Sequence, residues 1–209
     1  MGFGIACPRF RIRIVLPKIR YSWPLQDAKW RPHGGDKEDL QEASTDGLVT
    51  PDEFRAALGR FATGVTVITV ETAEGAVHGM TANAFCSVSL RPPLVLVCVD
   101  HLAETYLHLR ERGQFGVSVL KADQDALSEF FADPERNPDS AYRLGIQYRK
   151  LKSGRPVLAD ALANMDCKVV DAHTAGDHTI FVAEVREVAV GEGVPLLYFR
   201  GRYGTDGQE

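Results

Sequence analysis

No apolar run in the 209-residue chain approaches the roughly 20 residues that cross a bilayer; the longest is Leu94 to Val99, so no membrane span is expected. Cysteine is sparse. Cys7, Cys86, Cys98 and Cys167 stand apart without a CxxC pair, which argues against both a zinc ribbon and a disulfide framework. Reduced, buried thiols in a cytoplasmic protein are the expectation. Neither GxGxxG nor GxxxxGK[ST] occurs, which disfavours a Rossmann sheet and a P-loop, and no GxSxG elbow marks a serine nucleophile. Charge of one sign is not in excess: 24 Lys and Arg against 28 Asp and Glu give a net charge of -4, with no global attraction for nucleic acid or an anionic membrane. What remains is ordinary globular composition, 44% hydrophobic and 25% charged, at a length that builds one domain with a core large enough for a cofactor.

Residues 1–47 differ in texture from the rest. Arg9, Arg11, Arg13, Lys18 and Arg20 all precede the first acid, Asp27, while Pro17, Pro24, Pro32 and Gly34-Gly35 interrupt any long element. The segment has no apolar stretch followed by a small-residue cleavage site. It reads as a mostly disordered extension, with a functional basic arm, an organellar presequence or a start codon assigned too far upstream as alternatives.

From residue 48 the pattern becomes that of a folded domain extending to residue 209. Thr50-Pro51-Asp52-Glu53 is a helix start, in which Thr50 caps, Pro51 suits the first turn and Glu53 completes a capping box. Phe54, Ala57, Leu58 and Phe61 follow at helical spacing, and Gly64 is the expected end. Strands are predicted over 65–70, 77–80, 86–90, 94–99, 115–120, 163–172, 179–190 and 196–200. Helices are predicted near 103–112 and 123–132, the second capped by Asp123. Lys152 to Pro156 reads as a turn, and the residues between Asn137 and Lys152 carry no clear pattern. About eight strands joined by hairpins imply a mainly β protein, an antiparallel barrel with a few peripheral helices.

Three segments carry candidate chemistry. Residues 79–89, Gly-Met-Thr-Ala-Asn-Ala-Phe-Cys-Ser-Val-Ser, are rich in small and hydroxylated side chains. Small side chains let a flat ligand approach the backbone, and N–H and hydroxyl groups then meet ring carbonyl and nitrogen acceptors, as an isoalloxazine requires. A bulged barrel strand with Ser and Thr on its wet face is the alternative. Asp100 to Thr105 leads from an apolar strand into a helix whose N-terminus suits a phosphate, with Thr105 donating and His101 partly cationic, although such a segment is more often a plain strand-to-helix loop capped by Asp100. Gly176-Asp177-His178 sets a carboxylate beside an imidazole in a turn, which is suited either to a ligand carbonyl or simply to a hairpin. His173 and His178 lack a third partner at metal-site spacing, so no metal is expected.

Residues 54–69, Phe-Arg-Ala-Ala-Leu-Gly-Arg-Phe-Ala-Thr-Gly-Val-Thr-Val-Ile-Thr, together with Gly79 to Ser89, resemble the flavin reductase family, the NAD(P)H:flavin oxidoreductases that serve two-component monooxygenases. The likeness runs on through Pro92-Pro93-Leu94, Phe115 to Leu120, Gly176-Asp177-His178 and Pro195 to Tyr203, in order, over about residues 50–204. It implies an FMN-binding split β-barrel, antiparallel and Greek-key-like, that forms a homodimer and binds FMN or FAD. It further implies hydride transfer from NADH or NADPH and delivery of reduced flavin to a partner oxygenase in the cytoplasm. A flavin carrier or sensor of the same fold, without NAD(P)H turnover, is the alternative. By the resemblance, Thr81, Ala82, Asn83, Ala84, Phe85, Cys86, Ser87 and Ser89 contact the flavin, and His101 and Thr105 its phosphate end. Arg200 and Tyr203 border the site, and Gly176, Asp177 and His178 meet the nicotinamide nucleotide. No side chain is assigned as catalytic, because the two cofactors hold the reacting electrons. Two departures stand out: His101-Leu102-Ala103-Glu104-Thr105 lacks the Lys and Ser of the Lys-x-Ser-x-Thr pattern of many relatives, and Ser118 replaces a frequent Asn.

Overall fold

The computed structural model describes residues 49–205, so the expectations for residues 1–47, and Cys7 with them, lie outside the described residues. The chain opens with α1 (Pro51–Leu58), where Thr50 Oγ1 accepts the Glu53 N–H and Glu53 Oε2 accepts the Thr50 N–H at 2.9 Å, the reciprocal box read from the sequence. The helix stops at Gly59 rather than Gly64: the Gly59 N–H closes onto the Arg55 carbonyl, and β1 (Thr63–Gly64) is already extended. None of α1 is buried. Phe54, Leu58 and Phe61, three residues of the apolar set read at helical spacing, are 56%, 56% and 74% exposed.

Seven strands form the main sheet. They are β2 (Thr66–Glu71), β3 (Val77–Ala82), β4 (Phe85–Leu90), β5 (Pro93–Asp100), β6 (Gln114–Val119), β9 (Ala163–Ala175) and β10 (His178–Val190). Between and after them come α2 (Glu104–Arg112), α3 (Asp125–Ala132), α4 (Pro138–Arg143), β7 (Tyr148–Lys150), β8 (Pro156–Leu158), β11 (Leu197–Phe199) and β12 (Arg202–Gly204). All named pairings are antiparallel, with the order β3-β2-β6-β9-β10-β5-β4 in the large sheet, β1-β11-β12 in a small one and β7-β8 as a hairpin. The eight predicted strands are all present within a few residues. The four further strands are too short to show periodicity.

The sheet curls so that its two edges approach at one corner without pairing. Its two outermost strands, β3 and β4, are consecutive in sequence and joined by Asn83-Ala84 alone, so both edges meet at that corner. Alternate residues of strand after strand enter one core: Ile68 and Val70, Val95, Val97 and Val99, Phe115 and Val117, Cys167 and Val169, Phe181 and Ala183, with Phe85 of β4 packed beside them. A flat sheet would not send the inward residues of both edges to the same cluster; a rolled one does. The opposite face of β2 presents Val65 and Val67 to a second core with Leu120, Phe131, Leu158 and Leu196, which seats α3 and β8 on the outside. β2 is therefore buried on both faces.

Three local expectations change. The N-cap of α3 is Gln124, whose side chain accepts the Lys121 N–H and donates to the Asp160 carbonyl, so Asp123 does not cap. The N-cap of α2 is Ala103, while Asp100 Oδ1 accepts the Leu102 N–H at 2.8 Å one turn earlier. Cys167 is buried as expected, but Cys98 is half-buried and Cys86 is exposed.

Candidate functional site

The edge strand β4 pairs only with β5 among the described residues, so one side of it offers backbone N–H and C=O groups to solvent. Its pairing is irregular between Ser87 and Ser89, where Val88 is the extra residue, so the bulged strand and the small-residue ledge are the same segment. Ala82 is buried, with its carbonyl accepting from Thr66 Oγ1. Asn83 and Ala84 form the exposed link, and Cys86 and Ser87 are exposed beyond it. Phe85 turns toward the core, and Ser89 Oγ accepts the Arg91 N–H. The Thr81 hydroxyl is already engaged, donating to the Ser128 carbonyl at 2.7 Å.

Two motifs 76 residues apart in sequence meet at the end of β5. The Cys98 N–H donates to the Ala84 carbonyl, and two residues on, Asp100 lies opposite His178 in the β5–β10 ladder. The His101 N–H donates to the Asp177 carbonyl at 3.0 Å, and the His101 ring pairs with Thr179 Oγ1 at 3.0 Å. The turn that brings them there is Gly176-Asp177, with φ +62 at Gly176 and no positive φ at Asp177, the II′ pattern that matches the twist of a long hairpin. Asp177 Oδ1 lies 2.7 Å from His178 Nδ1. That hydrogen bond holds the Asp177 carboxyl below its usual range, so it accepts and Nδ1 carries the proton, which leaves the lone pair on Nε2. The ledge, the Asp100–His101 loop and the Gly176–His178 turn thus share one corner of the sheet.

Other candidates are placed differently. Thr105 is buried on α2 and its hydroxyl pairs with His78 Nε2 at 2.9 Å, so its side chain points inward, away from a ligand in the loop. Tyr203 joins the ledge indirectly: its hydroxyl lies 2.9 Å from Ser128 Oγ, and Ser128 is the residue whose carbonyl holds Thr81. Arg200 sits at φ +52 in the β11–β12 turn, followed by Gly201 at φ +74, with its N–H on the Gly59 carbonyl and its guanidinium over Phe199. It belongs to the small sheet.

Sequence reasoning missed Ser128, His78 and Arg136. Burial pushes His78 down to about 4, with Arg136 and His108 acting in the same sense and Glu104 opposing them. Arg136 donates to the Gly79 carbonyl at 2.9 Å and stacks near Phe130 and Phe131, clamping the loop after α3 onto β3. Each of these residues acts on a partner more than 20 residues away, and the only local signal was a His and a Gly preceding the ledge.

Comparison with known proteins decides the family. The flavin reductase like domain matches residues 58–206. The chain belongs to the flavin reductase family. It is 44% identical over 160 residues to an NADH-dependent flavin reductase of a Rhodococcus species, spanning 76% of this chain and 88% of that one. It is 40% identical over 152 residues to the reductase component of a 4-nitrophenol 4-monooxygenase/4-nitrocatechol 2-monooxygenase of Rhodococcus opacus, covering 73% and 79% of the two chains. The flavin reductase PheA2, solved in its native state, superimposes with a TM-score of 0.69 at 44% identity, covering 77% of this chain and all of that one.

Proposed function

We propose that this flavin reductase oxidises NADH or NADPH and reduces FMN or FAD, passing a hydride from nicotinamide C4 to flavin N5, and that reduced flavin leaves for a partner monooxygenase. The observation that carries this reading is the convergence of the β4 ledge with the Gly176–His178 turn at the end of β5, which sets a flat-ring surface beside an oriented imidazole. The residues fit the groups assigned to them. Ala84, Cys86 and Ser87 leave the ledge low and exposed, and the free edge of β4 supplies backbone donors and acceptors to a heterocycle. His101 and the first N–H groups of α2, unpaired by helix geometry, serve the phosphate end, with Thr105 acting from behind through His78. Thr81, Ser128 and Tyr203 hold the approach to the ledge in register, and Arg200 borders the site from the small sheet. Asp177 fixes the tautomer of His178, whose Nε2 orients the nicotinamide nucleotide without taking a proton.

The chain works in the cytoplasm as a homodimer, and the exposed stripe of Phe54, Leu58 and Phe61 is the apolar surface that a second copy covers. The active-site reading is tested with His178→Ala. The KM for NADH is expected to rise about tenfold while kcat and the flavin KM change little, because the residue is assigned to binding. An unchanged KM for NADH would remove His178 from the site.

A further inference from the structure

Outside this corner, one cluster of side chains has the composition and spacing of a ligand set. His78 on β3 and Glu104 and His108 on α2 bring their ligating atoms within 4.8 Å of one another. We infer that His78, Glu104 and His108 form a binding site for a divalent cation of the zinc class, with water completing its coordination. The site shares His78 and the first turn of α2 with the proposed phosphate end, and its test reads bound metal rather than flavin turnover.

The spacing comes first. A tetrahedral ion with bonds of about 2.1 Å holds its ligand atoms about 3.4 Å apart. Here His78 Nδ1 lies 3.6 Å from Glu104 Oε2 and His108 Nε2 lies 3.3 Å from Glu104 Oε1, so the two imidazoles flank the two oxygens of one carboxylate and a small rotation of Glu104 brings the set to that spacing. Glu104 and His108 stand one helical turn apart on α2, so one face of a rigid element supplies two ligands and the facing strand the third. Two imidazoles and a carboxylate suit zinc and its neighbours among the divalent metals, whereas calcium and magnesium prefer all-oxygen sets.

The tautomer comes second. Arg136 Nη2 stands 3.4 Å from His78 Nδ1, and a guanidinium only donates, so Nδ1 carries the lone pair and Nε2 carries the proton that goes to Thr105 Oγ1. A ligating histidine is normally oriented by a hydrogen bond on its other nitrogen, and Thr105 supplies that bond here. This also gives the inward turn of Thr105 a purpose. The guanidinium of Arg136 is the opposing group: it shares Nδ1 and repels a dication, so affinity is the outcome of that contest. An ion held by these residues ties α2 to β3.

The test uses the full chain, stripped with a chelator and dialysed against Zn2+ or Co2+. Retained metal is counted by elemental analysis, and the Co2+ absorption band reports the geometry. One ion per chain with a tetrahedral Co2+ spectrum is expected. His108→Ala and Glu104→Gln should each weaken binding by at least about tenfold. Glu104 is largely exposed, so its variant keeps the test valid if His108→Ala perturbs packing. Arg136→Gln should strengthen binding. No retained metal, binding undiminished in the two ligand variants, or an affinity indifferent to Arg136 would overturn the site.

Discussion

Cys86 and Cys167 are the same residue type in strands of one sheet, and their environments make them chemically different. Cys167 is fully buried, and burial together with the Asp166 carboxylate pushes its thiol up to about 12, so almost none of it is thiolate at pH 8. Cys86 is exposed on the ledge assigned to the flavin ring. In a Cys7→Ser chain, a thiol reagent at pH 8 is expected to modify Cys86 rapidly and leave Cys167 untouched. Saturating FMN or FAD should slow the Cys86 reaction several-fold. Labelling that ignores flavin would move the ring off this strand. At this scale the sequence was legible where residues act on neighbours: Thr50 with Glu53, and Asp177 with His178. It was illegible for Ser128 and Arg136, because their hydrogen bonds go to Tyr203, Thr81 and Gly79, and single-sequence spacing carries no record of who faces whom across the sheet.

Among the elements, β6 shows why an apparently featureless glycine sits in a strand. A Cβ on Gly116 would lie 2.5 Å from the Pro156 carbonyl, 2.6 Å from Thr69 Oγ1 and 2.7 Å from Val157 Cγ1. The Thr69 hydroxyl already bonds that carbonyl, so β8 is seated directly over Gly116 and backbone must shift to admit a methyl group. Gly116→Ala is expected to cost about 2–3 kcal/mol, read as a lower urea midpoint at unchanged slope. A loss under about 0.5 kcal/mol would show that the β7–β8 hairpin lifts away freely. The same kind of distant contact explains where element ends were misread. Periodicity carried α1 on to Phe61, but Gly59 accepts the Arg200 N–H and Thr63 pairs with Tyr198, so the C-terminal hairpin ends the helix from outside. Residues 138–150 gave no pattern because α4 and β7 are short and mostly exposed, which leaves no apolar face to read. The long strands were legible because each alternates into one core.

For the whole molecule, Asn83-Ala84 sets the ledge proposed for the flavin at the corner where the two sheet edges approach, and Phe54, Leu58 and Phe61 are the exposed apolar stripe on which the proposed dimer rests. The chain is expected to run at twice its own mass in light scattering, and Leu58→Asp to shift it toward the single chain with its circular dichroism intact. A wild-type monomer at micromolar concentration would contradict the dimer. The mainly β antiparallel fold was legible from strand count and hairpin order; the meeting of two distant motifs at His101 was not, because it depends on the β5–β10 register. The most direct measurement follows NADH and NADPH oxidation by loss of reduced-nicotinamide absorbance, with purified protein and added FMN, FAD or neither. Multiple-turnover oxidation that requires added flavin is the expected result. No oxidation with any pair, in protein shown to bind flavin, would contradict the reductase and leave a flavin carrier on the same fold.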